Sequence, residues 1–145
     1  MITSLNHTGI IVQDLDEMVR FYTEDLGLNV TARYESLGGK DGDHAGIPGS
    51  TRIEAFVGLD DESHQIELIY YAEPPANPGH LDKQQFGSTH ICFLVDDLNK
   101  AYAELLAKGV RFVTEPNFAT TPEGDEWGAV YFQDPEGNWL EFIQL

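Results

Sequence analysis

Two histidines and two glutamates stand at equivalent places in two similar parts of this chain. His7 begins the apolar segment "HTGIIV" and His90 begins "HICFLV", while Glu67 lies in "HQIELIYY" and Glu141 in "NWLEFIQL". Imidazole nitrogens and carboxylate oxygens form a mixed ligand set that suits Ni²⁺, Co²⁺, Mn²⁺, Fe²⁺ or Zn²⁺. A closed structural zinc site would instead use several thiolates. We therefore predict that these four residues bind a divalent metal ion and leave positions for water or substrate.

The apolar surroundings of the two glutamates favour the same interpretation. Strand alternation places Glu67 on one face with Ile69 and Tyr71, and Glu141 on one face with Trp139 and Ile143. We expect both faces to be buried. Burying a carboxylate without a partner costs several kcal/mol, about 3 or more. Because Lys and Arg together number only 8, we favour a metal ion over a basic side chain as the partner of these carboxylates.

The repeat extends to the elements that must position these side chains. Aligning His7 with His90 also pairs Asp14 with Asp97. In each half an apolar pattern with helical spacing follows, and it ends at a glycine that is suited to cap a helix. These two patterns run over 15–26 and 98–106.

Strand patterns rich in β-branched and aromatic residues follow each predicted helix. They lie at 28–35, 51–59 and 64–71 in the first half, and at 110–114, 127–133 and 138–144 in the second. Each half therefore reads βαβββ, and we predict an α+β fold. We expect one domain over 1–145, with module one at 1–71, a proline-rich connector at 72–87 and module two at 88–145.

Composition narrows the partners and the compartment. The 145 residues carry a formal net charge of −17, which disfavours nucleic acid and anionic membranes. No segment has the length of a membrane span or the pattern of a signal peptide. The single cysteine, Cys92, lies in an apolar strand pattern, so we expect it to be buried and structural. A cytoplasmic protein with a small-molecule substrate is the resulting expectation.

Four segments together resemble the vicinal oxygen chelate superfamily, which includes glyoxalase I, methylmalonyl-CoA epimerase, extradiol dioxygenases and antibiotic-resistance proteins. They are "HTGIIVQDLDEMVRFYTEDLG", "HQIELIYY", "STHICFLVDDL" and "YFQDPEGNWLEFIQL". The turn Asp134-Pro135-Glu136-Gly137, four residues before Glu141, is the most specific part. The resemblance implies two pseudo-symmetric βαβββ modules that form an open, cup-shaped mixed sheet around a metal site. It also implies a homodimer.

The complete ligand set decides which branch the chain resembles most. Extradiol dioxygenases hold iron at positions corresponding to His7, His90 and Glu141, whereas glyoxalase-type enzymes use all four positions. The presence of Glu67 therefore implies a glyoxalase I-like lyase or isomerase that transfers a proton on a substrate with vicinal oxygens, through a metal-stabilised enediolate. Glu67 and Glu141 are the implied catalytic carboxylates, and no further cofactor is expected.

Two positions depart from the glutathione-dependent enzymes of this type. Those enzymes carry Arg and Asn where this chain has Ile11 and Tyr71, and neither residue present here can pair ionically with a carboxylate. A substrate other than a glutathione adduct is therefore favoured. The alternatives are an extradiol-type Fe²⁺ dioxygenase, a methylmalonyl-CoA epimerase-like enzyme and a ligand-sequestering resistance protein.

Overall fold

The chain folds into two units, Met1–Pro78 and Gly79–Leu145, and each contains one mixed β-sheet and one main helical segment. The structure, a computed structural model, describes residues 1–40 and 44–145. The predicted α+β class with two mixed sheets is confirmed.

The first unit places its first and last strands side by side. Its elements are β1 (His7–Val12), α1 (Leu15–Arg20) continued by a π-helical turn (Phe21–Asp25), β2 (Asn29–Leu37), β3 (Thr51–Gly58) and β4 (Gln65–Glu73). The strand order is β1-β4-β3-β2, in which β1 runs parallel to β4 and the other pairs are antiparallel. The strand that begins with His7 therefore lies next to the strand that carries Glu67.

The second unit repeats this arrangement and adds one strand. Its elements are β5 (Ile91–Leu94), α2 (Leu98–Ala107), β6 (Arg111–Phe112), β7 (Asn117–Thr120), β8 (Glu126–Gln133) and β9 (Trp139–Gln144). The order is β5-β9-β8-β6, with β5 parallel to β9, and β7 also pairs with β8. The three strands predicted after α2 correspond to β6, β8 and β9, whereas β7 was not predicted. All four residues of β7 are exposed, so this strand has no apolar alternation that would reveal it in the sequence.

The repeated aspartates are explained by helix capping. The side chain of Asp14 accepts a hydrogen bond from the backbone N–H of Glu17, and that of Asp97 accepts one from Lys100, both at 2.9 Å. These bonds satisfy N–H groups that lack a partner within the first helical turn.

Among the described residues, no helix combines the length and apolar character needed to cross a membrane.

The first helical segment departs from regular α-helix at its end. The backbone N–H of Leu26 donates to the carbonyl of Phe21, five residues earlier, at 3.1 Å. This wider turn allows two consecutive aromatic residues, Phe21 at 2% exposed and Tyr22 at 0%, to reach the core together. A regular helical pattern predicts Tyr22 on the apolar face and leaves Phe21 off it.

The buried face of each sheet is the one opposite the two glutamates, which corrects the prediction made from alternation. Ile66 and Leu68 are buried on one side of β4, whereas Glu67 and Ile69 on the other side are half-buried. In unit two Leu140 is likewise buried, whereas Glu141 is half-buried. The reason is that α1 packs on β3 and β4, and α2 packs on β9, so the opposite faces stay accessible.

Candidate functional site

In unit one the predicted ligands form a close pair. Gly9 of β1 is the register partner of Glu67 on β4, and His7 Nε2 lies 3.2 Å from Glu67 Oε2. The His7 side chain is 40% exposed and the Glu67 side chain is 15% exposed. The pair is therefore held by neighbouring strands and open on one side.

The orientation of the His7 ring has a chemical consequence. Its Nδ1 lies 2.7 Å from Asn6 Oδ1, and since an amide oxygen only accepts, Nδ1 carries the donated proton. In the neutral ring Nε2 then presents a lone pair toward the Glu67 carboxylate. Two electron-rich atoms facing each other suit a bound cation, and metal-binding histidines commonly donate their other ring N–H in this way.

Unit two contains the equivalent pair. His90 directly precedes β5, Glu141 lies on β9, and His90 Nε2 lies 3.2 Å from Glu141 Oε2. The side chains are 42% and 16% exposed, nearly the same as in unit one. The local geometry of the repeat is thus preserved as well as its residue types.

The spacing within each pair fits ligands of one ion. Two N and O donors that each bind a metal at about 2.1 Å lie about 3.0–3.4 Å apart. The structure brings the four predicted ligands together as two pairs. Over 1–40 and 44–145, no three His, Cys, Asp or Glu side chains form a group that could hold a metal ion. The joining of the two pairs in one site stays a prediction.

Two further side chains surround the pair in unit two. Tyr131 on β8 is the register partner of Glu141, and its hydroxyl lies 3.3 Å from His90 Nε2. Its ring packs edge-on against the His90 imidazole with centroids 5.0 Å apart. Cys92 on β5 is the partner of Glu141 on the other side, and its thiol donates a hydrogen bond to the carboxylate. Glu141 therefore lies between a phenol and a thiol.

The environment of Glu141 shifts the pKa of both neighbours. Partial burial raises the pKa of the Cys92 thiol to about 11, and the hydrogen bond and negative charge of Glu141 add to this effect. Burial also raises the pKa of Tyr131, again with a contribution from the charge of Glu141. Both groups are therefore protonated at neutral pH and able to act as donors.

Cys92 and Tyr131 were not predicted as site residues. The expectation that Cys92 is buried and structural was wrong, because it is exposed and faces the side of the sheet away from α2. The available signal was the repeat itself. Extending the alignment of His7 with His90 places Cys92 opposite Gly9, which is an unusual exchange at a strand position.

The surroundings of Glu67 are different. Its register partners are Phe56 on β3 and Gly9 on β1. The Phe56 ring packs edge-on against His7 with centroids 5.5 Å apart. A Cβ atom at Gly9 would lie 3.6 Å from Glu67 Oε2 and 3.4 Å from Ile69 Cδ1, which are ordinary contact distances. The position beside Glu67 could therefore hold a small side chain, and in this chain it does not.

A buried ion pair lies farther along the same face of unit one. Arg52 and Glu54, which share the face of Phe56, are 3% and 8% exposed, and Arg52 Nε lies 3.2 Å from Glu54 Oε1. Ser36 donates a hydrogen bond to Glu54 at 2.8 Å, and the Arg52 guanidinium lies 6.0 Å from the centroid of the Tyr71 ring. The Arg52 guanidinium beside Tyr71 is thus paired with a carboxylate.

The turn before β9 is fixed by one buried carboxylate. Asp134 is 1% exposed and accepts hydrogen bonds from the backbone N–H of Glu136 at 3.1 Å and of Asn138 at 2.8 Å. It also accepts one from the Asn138 side chain at 2.8 Å. Gly137, with a φ of +92°, completes the turn. This network determines where β9 starts, and with it the position of Glu141.

Comparison with known proteins agrees with the fold. Residues 4–142 match the family described as the Glyoxalase/Bleomycin resistance protein/Dioxygenase superfamily, and the chain belongs to this superfamily. A solved glyoxalase family protein from Bacillus cereus has the same fold, with a TM-score of 0.84 and 23% identity over 99% of this chain and 95% of that one.

Comparison with two relatives gives the degree of sequence identity. The chain is 32% identical to the uncharacterized protein YwbC of Bacillus subtilis over 99% of both. It is 28% identical to glyoxalase I of Saccharomyces cerevisiae over 96% of this chain and 44% of the yeast protein. The chain thus spans less than half of the yeast enzyme.

Proposed function

We propose that this protein is a metal-dependent lyase or isomerase of the glyoxalase I type, which moves a proton on a small substrate with two neighbouring oxygens. One observation carries the proposal: a histidine and a glutamate lie 3.2 Å apart at equivalent positions in each of the two units. Membership of the superfamily and the likeness to yeast glyoxalase I support it.

The donor set of the two pairs fits a divalent metal ion. His7, Glu67, His90 and Glu141 would hold it, with Ni²⁺, Co²⁺, Zn²⁺, Mn²⁺ or Fe²⁺ as candidates. When bound, such an ion supplies Lewis-acid polarisation of the substrate oxygens, which lowers the pKa of the adjacent C–H group. The lone pair of His7 Nε2, set by the contact of Nδ1 with Asn6, is oriented for this purpose.

The chain itself supplies the base. Glu67 takes a proton from one of the two neighbouring oxygen-bearing carbons of the substrate and returns it to the other. Its side chain is 15% exposed, so the carboxylate is partly shielded from water yet reachable by a substrate. General base catalysis of this kind contributes about 10²–10⁴-fold to the rate.

The substrate is unlike a glutathione adduct. Ile11 is exposed and Tyr71 is half-buried, and neither offers a charge to a carboxylate. Arg52, the cation near Tyr71, is paired with Glu54. A neutral, oxygenated and partly apolar molecule fits these residues better than a tripeptide with two carboxylates does.

Metal analysis followed by a substrate screen tests the proposal. Protein purified without chelator should contain close to one divalent ion per protein chain. We expect turnover of a 2-oxoaldehyde thiol adduct or an acyl thioester without consumption of O₂. Stoichiometric O₂ consumption with catechols would instead identify a dioxygenase, and tight binding without turnover would identify a sequestering protein.

The variant Glu67→Gln separates proton transfer from metal binding. It keeps an oxygen ligand but removes the group that accepts the proton, so turnover should fall by about 10² or more while metal content falls far less. Turnover of the unmodified protein in D₂O should place deuterium at the reacting carbon. Steady-state kinetics and mass spectrometry measure the two effects.

The matched control is Glu73→Gln, which changes an exposed carboxylate at the end of the same strand. It should leave both turnover and metal content unchanged. A fully active Glu67→Gln protein would contradict the role of Glu67.

A further inference from the structure

Three buried polar side chains lie in a row on β3. Ser50, Arg52 and Glu54 are three of the four polar or charged residues that are buried in the described part of the chain. They occupy alternate positions directly before β3 and in its first half, and alternate residues of a strand share one face. Phe56, the register partner of Glu67, continues the row on this face. The row therefore leads away from the candidate ligand Glu67.

The sheet does not need charges at these positions. Glu54 is the register partner of Ile69 in unit one, whereas the equivalent partner of Ile143 in unit two is Ala129, with Trp127 two residues before it. A buried ion pair is costly to desolvate, and its replacement by apolar residues of similar volume is often neutral or stabilising. Stability of the sheet thus does not account for the ion pair in unit one.

The row combines a fixed pair of charges with an open hydroxyl. Arg52 Nε lies 3.2 Å from Glu54 Oε1, and Ser36 donates a hydrogen bond to Glu54 Oε2 at 2.8 Å. The Ser50 hydroxyl is buried and has no hydrogen-bond partner among the described residues. Because a buried hydroxyl without a partner is unfavourable, this group points to a ligand that supplies the partner.

The row lies within reach of a substrate that is bound beside Glu67. Phe56 lies opposite Glu67. Glu54 is two residues from Phe56 on the same face, which makes it the diagonal neighbour of Glu67. Such neighbours lie about 7–8 Å apart, a distance comparable to the width of a hydroxylated six-membered ring. A substrate of this size can therefore extend from Glu67 to Glu54.

We propose that Ser50, Arg52 and Glu54 form a subsite for hydroxyl groups of the substrate, which is a neutral polyhydroxylated 2-hydroxy ketone such as a keto sugar or a keto cyclitol. This inference rests on the function proposed above and names the substrate class. The ketone and its adjacent hydroxyl are the two neighbouring oxygens of that function, and the remaining hydroxyls bind along the row.

The chemistry of the row selects hydroxyl groups over anions. A hydroxyl both donates and accepts, so it can donate to Glu54 and accept from Arg52 while the ion pair stays intact. A carboxylate only accepts, and the negative charge of Glu54 repels it. An anionic substrate would have to displace Glu54 from Arg52.

Binding of two ring compounds to the Co²⁺-loaded protein tests the inference. 2-Hydroxycyclohexanone carries the ketone and one adjacent hydroxyl, whereas an inosose carries the ketone and a hydroxyl on each of the other ring carbons. We expect the inosose to bind about 10-fold more tightly, because hydrogen bonds to charged groups contribute on this scale. Isothermal titration calorimetry gives both affinities. Equal affinities would overturn the inference.

Two variants show whether the row is the source of this preference. Arg52→Met with Glu54→Leu removes both charges at similar volume, so the unfolding temperature should stay the same or rise, while the preference for the inosose should fall below about 2-fold. Ser50→Ala removes a hydroxyl that has no partner within 1–40 and 44–145. It should weaken inosose binding several-fold without affecting 2-hydroxycyclohexanone. Full preference in either variant would overturn the inference.

The matched control is Arg33→Met with Glu35→Leu. It changes the same residue types at alternate, exposed positions of β2 on the opposite face of the sheet, and it should leave the preference unchanged. Failure of the proposed function has a different outcome, because a protein that binds no Co²⁺ would overturn that function. A protein that binds Co²⁺ but neither ring compound would overturn only the substrate class inferred from the row.

Discussion

Cys92 is a free cysteine whose thiol is kept from ionising by partial burial and, in addition, by the neighbouring Glu141 carboxylate. Free thiols on a surface are usually liabilities, because the thiolate reacts with oxidants and electrophiles. Here partial burial and the Glu141 carboxylate raise the pKa of the thiol to about 11. An exposed cysteine beside a candidate metal centre is thereby kept in its unreactive, protonated form at neutral pH.

Alkylation of the metal-free protein checks this effect. A raised pKa makes the thiolate scarcer at any pH below 11, and although the remaining thiolate is more nucleophilic, iodoacetamide should react about 10-fold more slowly at about pH 8 than with an unstructured cysteine peptide. The rate should rise with pH up to about 11. Mass spectrometry follows the reaction.

The variant Glu141→Gln removes the negative charge and should make the thiol react faster at about pH 8. Glu104→Gln changes an exposed carboxylate on α2 and should have no effect. Equal rates for the unmodified protein and Glu141→Gln would show that the carboxylate does not control the thiol.

The four candidate ligands could be predicted from the sequence because the repeat marks them, whereas their neighbours Cys92 and Tyr131 could not. His7, Glu67, His90 and Glu141 recur as types at aligned positions. Cys92 and Tyr131 look like ordinary strand residues, and only the strand register shows that they flank Glu141.

At the scale of the elements, the turn between β8 and β9 has the greatest influence on the site. Asp134 is almost completely buried, and both of its oxygens accept hydrogen bonds from the turn that follows. The strand that starts at Trp139 carries Glu141 two residues later. The Asp134 carboxylate thus helps to set the position of a candidate ligand through the turn that precedes β9.

Asp134→Ala should lower the free energy of unfolding by about 2–4 kcal/mol, because buried N–H groups lose a charged acceptor. Asp134→Asn keeps one oxygen acceptor of the same shape and should lose less. Urea unfolding monitored by circular dichroism measures both. An Asp134→Ala protein as stable as the unmodified protein would mean that the hydrogen bonds of the carboxylate are not what stabilises the turn.

Most elements could be predicted from the sequence, but the covered face of each sheet could not. Strand β4 has apolar residues on both sides, with Ile66 and Leu68 facing the helix and Ile69 and Tyr71 facing away from it. Alternation defines two faces without saying which one a helix covers. The exposed strand β7 and the π-helical turn were missed for a related reason, since neither follows an apolar period.

At the scale of the whole molecule, the charge is the dominant property. With 25 acidic and 8 basic residues, most carboxylates have no cation with which to pair, and mutual repulsion opposes the compact state. Salt bridges such as that of Arg20 with Asp25 at 3.0 Å offset little of this repulsion, because surface pairs contribute about 0–1 kcal/mol.

Salt should therefore stabilise the protein. Raising NaCl from about 0.05 M to about 1 M shortens the screening length from more than 10 Å to about 3 Å, and we expect the unfolding temperature to rise by several degrees. Differential scanning calorimetry measures the shift. A stability that does not change with NaCl would show that charge repulsion is unimportant.

The parallel pairing of β1 with β4, and of β5 with β9, has a consequence for folding kinetics. In each unit the first strand pairs with the last strand. The pairing that brings histidine and glutamate together therefore has to close the longest loop. Helix formation and the antiparallel hairpins can precede it. Recovery of Co²⁺ binding during refolding should accordingly lag behind recovery of the circular dichroism signal, which would make metal uptake a reporter of the last step in forming the native state.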